Sequence, residues 1–223
     1  MATMIFCEEC DHYNKHECIE HKRWVTDSTP PPLYKNEPYW IVFDVETAKL
    51  MDDIGGRKIV EEQKKWSELG LTALGIWDSK MDRPYLYDME SLAEGVAHLE
   101  SSEFAVSFNG NHFDLPVLNS LAGRWINLKE SYDLHKEIKR TGCPWKGSGL
   151  GPTAERTIGR GKTGTGAHAP VLAKEGKWAR LFTYNMDDLY LTRDLMNHVR
   201  LHGWVVGPDG NKHKVQVPEW FKL

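Results

Sequence analysis

Asp44 and Glu46 stand two residues apart inside the apolar run YWIVFDVET. If that run is a strand, both carboxylates leave the same face, roughly 7 Å apart along the chain. Two like charges on a buried strand need compensation, and a hard divalent cation such as Mg²⁺ or Mn²⁺ provides it through carboxylate oxygens. The plain alternative is a polar strand end in water. A third acid, Asp114, lies in SFNGNHFDLPVL, where a strand-like run passes into a helix-like one. An aspartate at that junction commonly serves only as an N-cap, yet strand ends and helix starts are also where open α/β sheets carry their chemistry. Asn109, in the same loop, can contact substrate or brace the turn. In TYNMDDLYLT, Tyr184 and Asp188 are four apart, so on a helix a phenol sits beside a carboxylate. A core tyrosine with a surface acid would have the same spacing. Asp187 competes with Asp188 but points about 100° away around the helix. Lys162 in GRGKTGTG can approach a phosphate or be a solvated loop lysine; the segment is not a Walker A loop, because its Gly and Lys spacing is wrong and no strand precedes it.

These groups need a frame, and the apolar patterning supplies one. YWIVFDVET reads as a buried strand, and LTALGIWDS (71–79) and RPYLYD (83–88) as second and third strands in antiparallel succession. The segment 48–70, with Gly55-Gly56 and a polar stretch, carries no assignable period. ESLAEGVAHLE repeats apolar residues at helical spacing, EFAVSFNG is a short strand, and DLPVLNSLAG is a helix with Pro116 in its first turn and Gly123 after its end. SYDLHKEIKR is a further short element, GLGPTAERTIG a helix begun near Pro152, and the stretch from Lys177 a long helix closed by Gly203. Its Trp178, Leu181, Leu189, Leu195 and Val199 lie mostly on one face. GWVVGPDGNKHKVQV has a hairpin's Pro-Asp-Gly turn. The expected class is α/β, a mixed central sheet flanked by helices. The expected parts are 1–26 (a zinc knuckle), 27–38 (a proline-rich linker), 39–203 (the main domain) and 204–223 (a C-terminal β-hairpin extension).

The chain of 223 residues is 40% hydrophobic and 27% charged, which excludes a disordered or fibrous protein. A net charge of −4 argues against a plain basic nucleic-acid binder but suits a carboxylate cluster that bound cations neutralise. No apolar run approaches a bilayer span and no signal peptide is visible, so no membrane association and a cytoplasmic location are expected. Three of the four cysteines crowd together. Cys7-x2-Cys10-x7-Cys18-x2-His21 offers a tetrahedral set for one structural Zn²⁺, with His12 and His16 as rival ligands.

The order of the acidic motifs and their flanks resembles the DEDD exonucleases, as found in the proofreading domains of family B polymerases and in RNase D. It is more similar to the RNase H-like exonuclease domains of bacteria and phages that occur alone or beside helicases. FDVET, the GG segment, SFNxxxFD, YDL at Asp133, GLGPTAERTIG with its downstream lysine, and YxxxDxxLT recur there in this order, covering roughly residues 40–200. Tyr184 marks the DEDDy branch; the DEDDh branch would put histidine at position 183, where this chain has Thr183. The resemblance implies an RNase H-like fold and a 3′-5′ exonuclease acting on single-stranded or frayed nucleic acid. It implies two Mg²⁺ or Mn²⁺ ions held by Asp44, Glu46, Asp114 and Asp188, with Tyr184 orienting the attacking water and Asn109 and Lys162 on the substrate. Asp133 would support the metal ligands from behind. A non-cleaving nucleic-acid-binding or adaptor module and a structure-specific endonuclease are the alternatives. The N-terminal segment resembles the small CxxC…CxxH knuckles of PR/SET-domain proteins and is the expected contact for a replication or repair partner; if the chain is phage-encoded, it would work in the host cytoplasm.

Overall fold

A computed structural model describes residues 37–162 and 168–223, together with the backbone of a short antiparallel ribbon, β1 (Ile5–Cys7) and β2 (His12–Asn14). The zinc set expected at Cys7, Cys10, Cys18 and His21 and the linker at 27–36 fall outside the described residues, save for the backbone of Cys7.

The centre is β3 (Trp40–Thr47), whose alternation decides what goes where. Trp40 and Val42 point to one face of the sheet, and Ile41, Phe43 and Val45 to the other. Both faces are apolar because both are covered, as expected for a central strand. β4 (Leu71–Asp78) pairs antiparallel with β3, and β5 (Arg83–Tyr87) antiparallel with β4. On the other side β6 (Phe104–Ser107) and then β7 (Ser131–Asp133) run parallel to β3. The order is β5-β4-β3-β6-β7. β3, β6 and β7 therefore end on the same edge, and Asp44 and Glu46 lie toward that edge.

One face is covered by α2 (Leu92–Ser101) and α3 (Asp114–Ala122), which bury Val96, Leu99, Val117 and Leu118 against Ile41 and Phe43. The other face takes α5 (Leu150–Ile158), α6 (Ala169–Lys174) and the 25-residue α7 (Trp178–His202). α1 (Arg57–Glu62) and α4 (Leu134–Arg140) complete the set. The unassigned stretch 48–70 is α1 between two 3-10 turns; it buries only Val60 and Leu69, which is why it shows no apolar period.

The C-terminal strands β8 (Trp204–Val206) and β9 (Lys212–Lys214) form the expected hairpin. It is no surface ornament, because Val205, Val215, Val217 and Phe221 share one core with Trp40 and Phe104. Buried Arg200 fastens it, donating to the Phe221 carbonyl and to Glu37 at 2.7 Å each. Among the described residues no helix is long and apolar enough to cross a membrane.

Candidate metal and nucleic-acid site

The sheet opens for the acids by shrinking its side chains. Across the β3/β4 pair on the α7 face the partners are Val42 with Trp77, Asp44 with Gly75, and Glu46 with Ala73. A bulge just after Glu46 shifts the register, and bulges of this kind re-aim side chains at strand ends. Gly75 leaves a slot that α7 fills with Asn185; a Cβ there would lie 1.9 Å from Asn185 Oδ1. Asn185, fully buried, donates through Nδ2 to Asp44 Oδ2 at 2.8 Å. One turn further along α7, Asp188 comes over the strand end. Ligand-capable oxygens of Asp44, Glu46 and Asp188 all lie within 4.8 Å of one another.

Tyr184 and Lys162 join these three in one cleft, which Thr47, Lys49, Leu50, Met51 and Phe113 also line. Lys162 rests its stem against Gly151 of α5 and places Nζ 2.5 Å from Asp188 Oδ2 and 3.2 Å from the Tyr184 hydroxyl. Asp187 is outside the cluster; its neighbour Asp188 is the one turned inward.

Asp114 stands differently from its sisters. It is the first residue of α3 rather than its cap, which is Phe113, and its Oδ1 accepts the Val45 amide of β3 at 2.7 Å. That bond holds it beside the strand carrying Asp44 and Glu46, but it is not one of the three acids in mutual ligand distance and does not line the cleft. Asn109 is not brought to the cleft either. Its backbone is left-handed (φ 72), its amide donates to Asp133 Oδ1 at 2.8 Å, and its side-chain oxygen faces His135 Nδ1 at 3.4 Å. Asp133 holds this loop through the Asn109 and Asn111 amides and caps α4 by accepting from Lys136. It braces the turn rather than any cleft carboxylate.

The electrostatics are those of a site short of positive charge. Burial, then Glu46, Asp188 and Asp114, raise the Asp44 carboxyl well above the ordinary range. Burial, then Asp188, does the same to Glu46, and burial raises Asp188 although Lys162 opposes it. Asp114 is pushed up to about 7, by burial first, against the pull of the Val45 amide. Lys162 is disfavoured by burial, but Asp188 and Asp44 outweigh that and hold it protonated. Burial and Asp188 raise the Tyr184 hydroxyl, so it stays a neutral donor. Asp188 Oδ1 is buried with no hydrogen-bond partner among the described residues. A buried, unpartnered carboxylate oxygen is costly unless a cation completes it.

Asn185 is the site residue that sequence reasoning missed. The signal was present as an amide one residue from Tyr184 facing a glycine in the second strand, but only the strand register reveals that Gly75 is opposite Asp44.

A five-stranded mixed sheet in this order, with helices on both faces and acids at the end of its central strand, defines the RNase H-like class of fold. A family model described as the RNase_H superfamily matches residues 41–200, and the chain belongs to that superfamily. Among solved structures, it is similar to the family B DNA polymerase from the hyperthermophilic archaeon Pyrobaculum calidifontis, with 17% identity and a TM-score of 0.56. The match covers 78% of this chain but only 25% of the polymerase, so the chain spans about a quarter of that protein's length. No curated protein matches it.

Proposed function

We propose that the chain is a metal-dependent nuclease that removes nucleotides from the 3′ end of nucleic acid, as a DEDDy exonuclease. The observation that carries this reading is the convergence of Asp44, Glu46 and Asp188, from a central strand and a distant helix, within 4.8 Å. The donor set fits hard divalent cations: all ligands are carboxylates, one oxygen of Asp188 is buried without a hydrogen-bond partner among the described residues, and mutual repulsion keeps the acids in want of positive charge. Two Mg²⁺ or Mn²⁺ ions, when bound, would activate a water and neutralise charge on the attacked phosphodiester.

The chain's own groups then divide the work. Asp44 is kept in place by Asn185, and Asp114, tied through Oδ1 to the Val45 amide, would have to turn toward the three clustered acids to serve as a fourth ligand. Tyr184, a neutral phenol at the cleft, orients the attacking water by hydrogen bonding. Lys162, 2.5 Å from Asp188 and 3.2 Å from Tyr184, brings a permanent positive charge to a non-bridging phosphate oxygen. Attack of water on phosphorus and departure of the 3′ oxygen would leave nucleoside 5′-monophosphates. The likeness of the acidic motifs to polymerase proofreading domains, and the overlay on a quarter of a family B polymerase, support this direction of attack.

The test is digestion of 5′-labelled single- and double-stranded DNA and RNA with Mg²⁺ or Mn²⁺. A ladder shortening from the 3′ end, absent in Asp188→Asn, is expected. Wild-type chain that leaves all four substrates intact, or cuts them internally, refutes the proposal. A structural zinc at Cys7, Cys10, Cys18 and His21 is proposed on their spacing alone; metal analysis of the purified chain should find one zinc, lost in Cys10→Ala.

A further inference from the structure

Trp145 is 68% exposed, although a tryptophan normally hides most of its ring. It stands in the loop between α4 and α5, and that loop is held firmly. Ser148 donates both its amide (3.2 Å) and its hydroxyl (2.8 Å) to the Trp145 carbonyl, and Arg156 grips the Gly147 carbonyl at 2.7 Å. The ring is seated on His135, with centroids 5.2 Å apart, and His135 in turn stacks on Phe108. Lys139 places its ammonium 4.5 Å from the Trp145 ring centre while donating to the Cys143 carbonyl at 3.0 Å, and the next residue along the chain from Trp145, Lys146, is exposed.

The position of this aromatic ledge matters more than its exposure. Phe108 follows the end of β6, and His135 is the second residue of α4, two residues after β7 ends at Asp133. β3, β6 and β7 are parallel neighbours, so the ledge lies on the same sheet edge as Asp44 and Glu46, about two strand spacings or roughly 10 Å along it. Between the two stands the Asn109–Asn111 turn, fixed by Asp133. A rigid exposed indole with ammonium groups around it matches what unpaired nucleotides need: a π-surface for a base and positive charge for the backbone. Trp125 makes the contrast. It is 85% exposed but follows the far end of α3, whose first residue, Asp114, is the one near the acids, so it lies well over 10 Å from them.

Resting on the nuclease reading above, we propose that Trp145, backed by His135 and flanked by Lys139 and Lys146, is a base-stacking platform. It would bind the single-stranded nucleic acid whose 3′ end occupies the carboxylate cleft. Base stacking on an aromatic ring tolerates any sequence, so the platform would give hold and direction rather than base preference.

The test compares wild type, Trp145→Ala, Trp145→Phe and Trp125→Ala. Fluorescence anisotropy with a labelled oligothymidylate in EDTA reads binding without hydrolysis. Turnover with Mg²⁺ is read on the same oligonucleotide and on thymidine 5′-(p-nitrophenyl phosphate), an ester too short to reach the ledge. Trp145→Ala should raise the oligonucleotide Kd and KM roughly fivefold or more. It should leave kcat and hydrolysis of the small ester near wild type. Trp145→Phe should recover most of the binding, and Trp125→Ala should change nothing. An unaltered Kd in Trp145→Ala, or no oligonucleotide binding by the wild type, overturns the platform. Wild type that binds the oligonucleotide through Trp145 yet never cuts it would overturn the nuclease reading alone.

Discussion

Gly75→Ala tests whether the slot opposite Asp44 is what positions the acids. The added methyl would lie 1.9 Å from Asn185 Oδ1 and 2.9 Å from Leu189 Cδ1, on a strand buried throughout. Overpacking of this kind costs about 1–3 kcal/mol. Loss of the Asn185 bond to Asp44, whose burial and acidic neighbours favour the neutral carboxyl in EDTA, adds about 0.5–1.5 kcal/mol. Asn185→Ala alone should also destabilise, through the same bond and a cavity. The double variant brings the new methyl into the space the amide vacates, so it should be more stable than the sum of the single effects by about 1–3 kcal/mol. Activity should not follow stability. Without its tether Asp44 loses its aim, and both Asn185→Ala and the double variant should fall roughly 10- to 100-fold in Mg²⁺-dependent hydrolysis. Urea unfolding in EDTA measures the first quantity and oligonucleotide turnover the second. Strict additivity of the two substitutions, or full activity in the refolded double variant, would refute the reasoning.

Asp114→Asn keeps an acceptor for the Val45 amide but removes a carboxyl whose pKa rises from 3.8 to about 7 on folding. The folded chain then holds a proton that the unfolded chain releases. The resulting penalty is absent below about pH 4 and complete above about pH 7, amounting to a few kcal/mol at most. The variant's melting temperature in EDTA should thus gain on wild type as pH rises from 5 to 8, and a gap that narrows instead would contradict it. Lys162→Met strips Asp188, whose side chain is 4% exposed, of its partner. Because Lys162 is a quarter exposed, the loss in EDTA should be about 1–3 kcal/mol, smaller than for a fully buried pair. Mg²⁺ should stabilise the variant more than wild type in denaturant titrations. Tyr184→Phe should keep stability close to wild type while lowering kcat roughly 100-fold, with little change in oligonucleotide Kd.

Much of this was legible in the sequence because the strands and helices are conventionally patterned. The alternation of Trp40 to Val45, the glycines after α3 and α7, and the Pro-Asp-Gly turn each name their element without tertiary help. The pairing of Asp44 with Glu46 followed from strand period, and that of Tyr184 with Asp188 from helix period. What escaped was whatever depends on contacts between distant segments. Asp114 reads locally as either a cap or a site acid, but the bond of its Oδ1 with the Val45 amide of β3 is one that no local rule anticipates. For Asn109 the sequence leaves substrate contact and loop bracing open, and Asp133 enters only through the resemblance; in the fold the Asn109 backbone amide donates to Asp133 from a left-handed turn, a contact between distant segments. The cleft wall at Lys49, Leu50 and Met51 is irregular chain running into a four-residue 3-10 turn that starts at Met51, which leaves no period to detect.

The Arg200 fastening has a practical corollary. A stop codon after Gly203 would strip Phe221 from the rings of Trp40 and Phe104 and leave a guanidinium in an apolar layer without the carbonyl it grips. Trp40 begins the very strand that presents Asp44 and Glu46. Ending the chain at Gly203 should therefore destabilise the strand that presents the acids, and the loss would masquerade as a defect in chemistry.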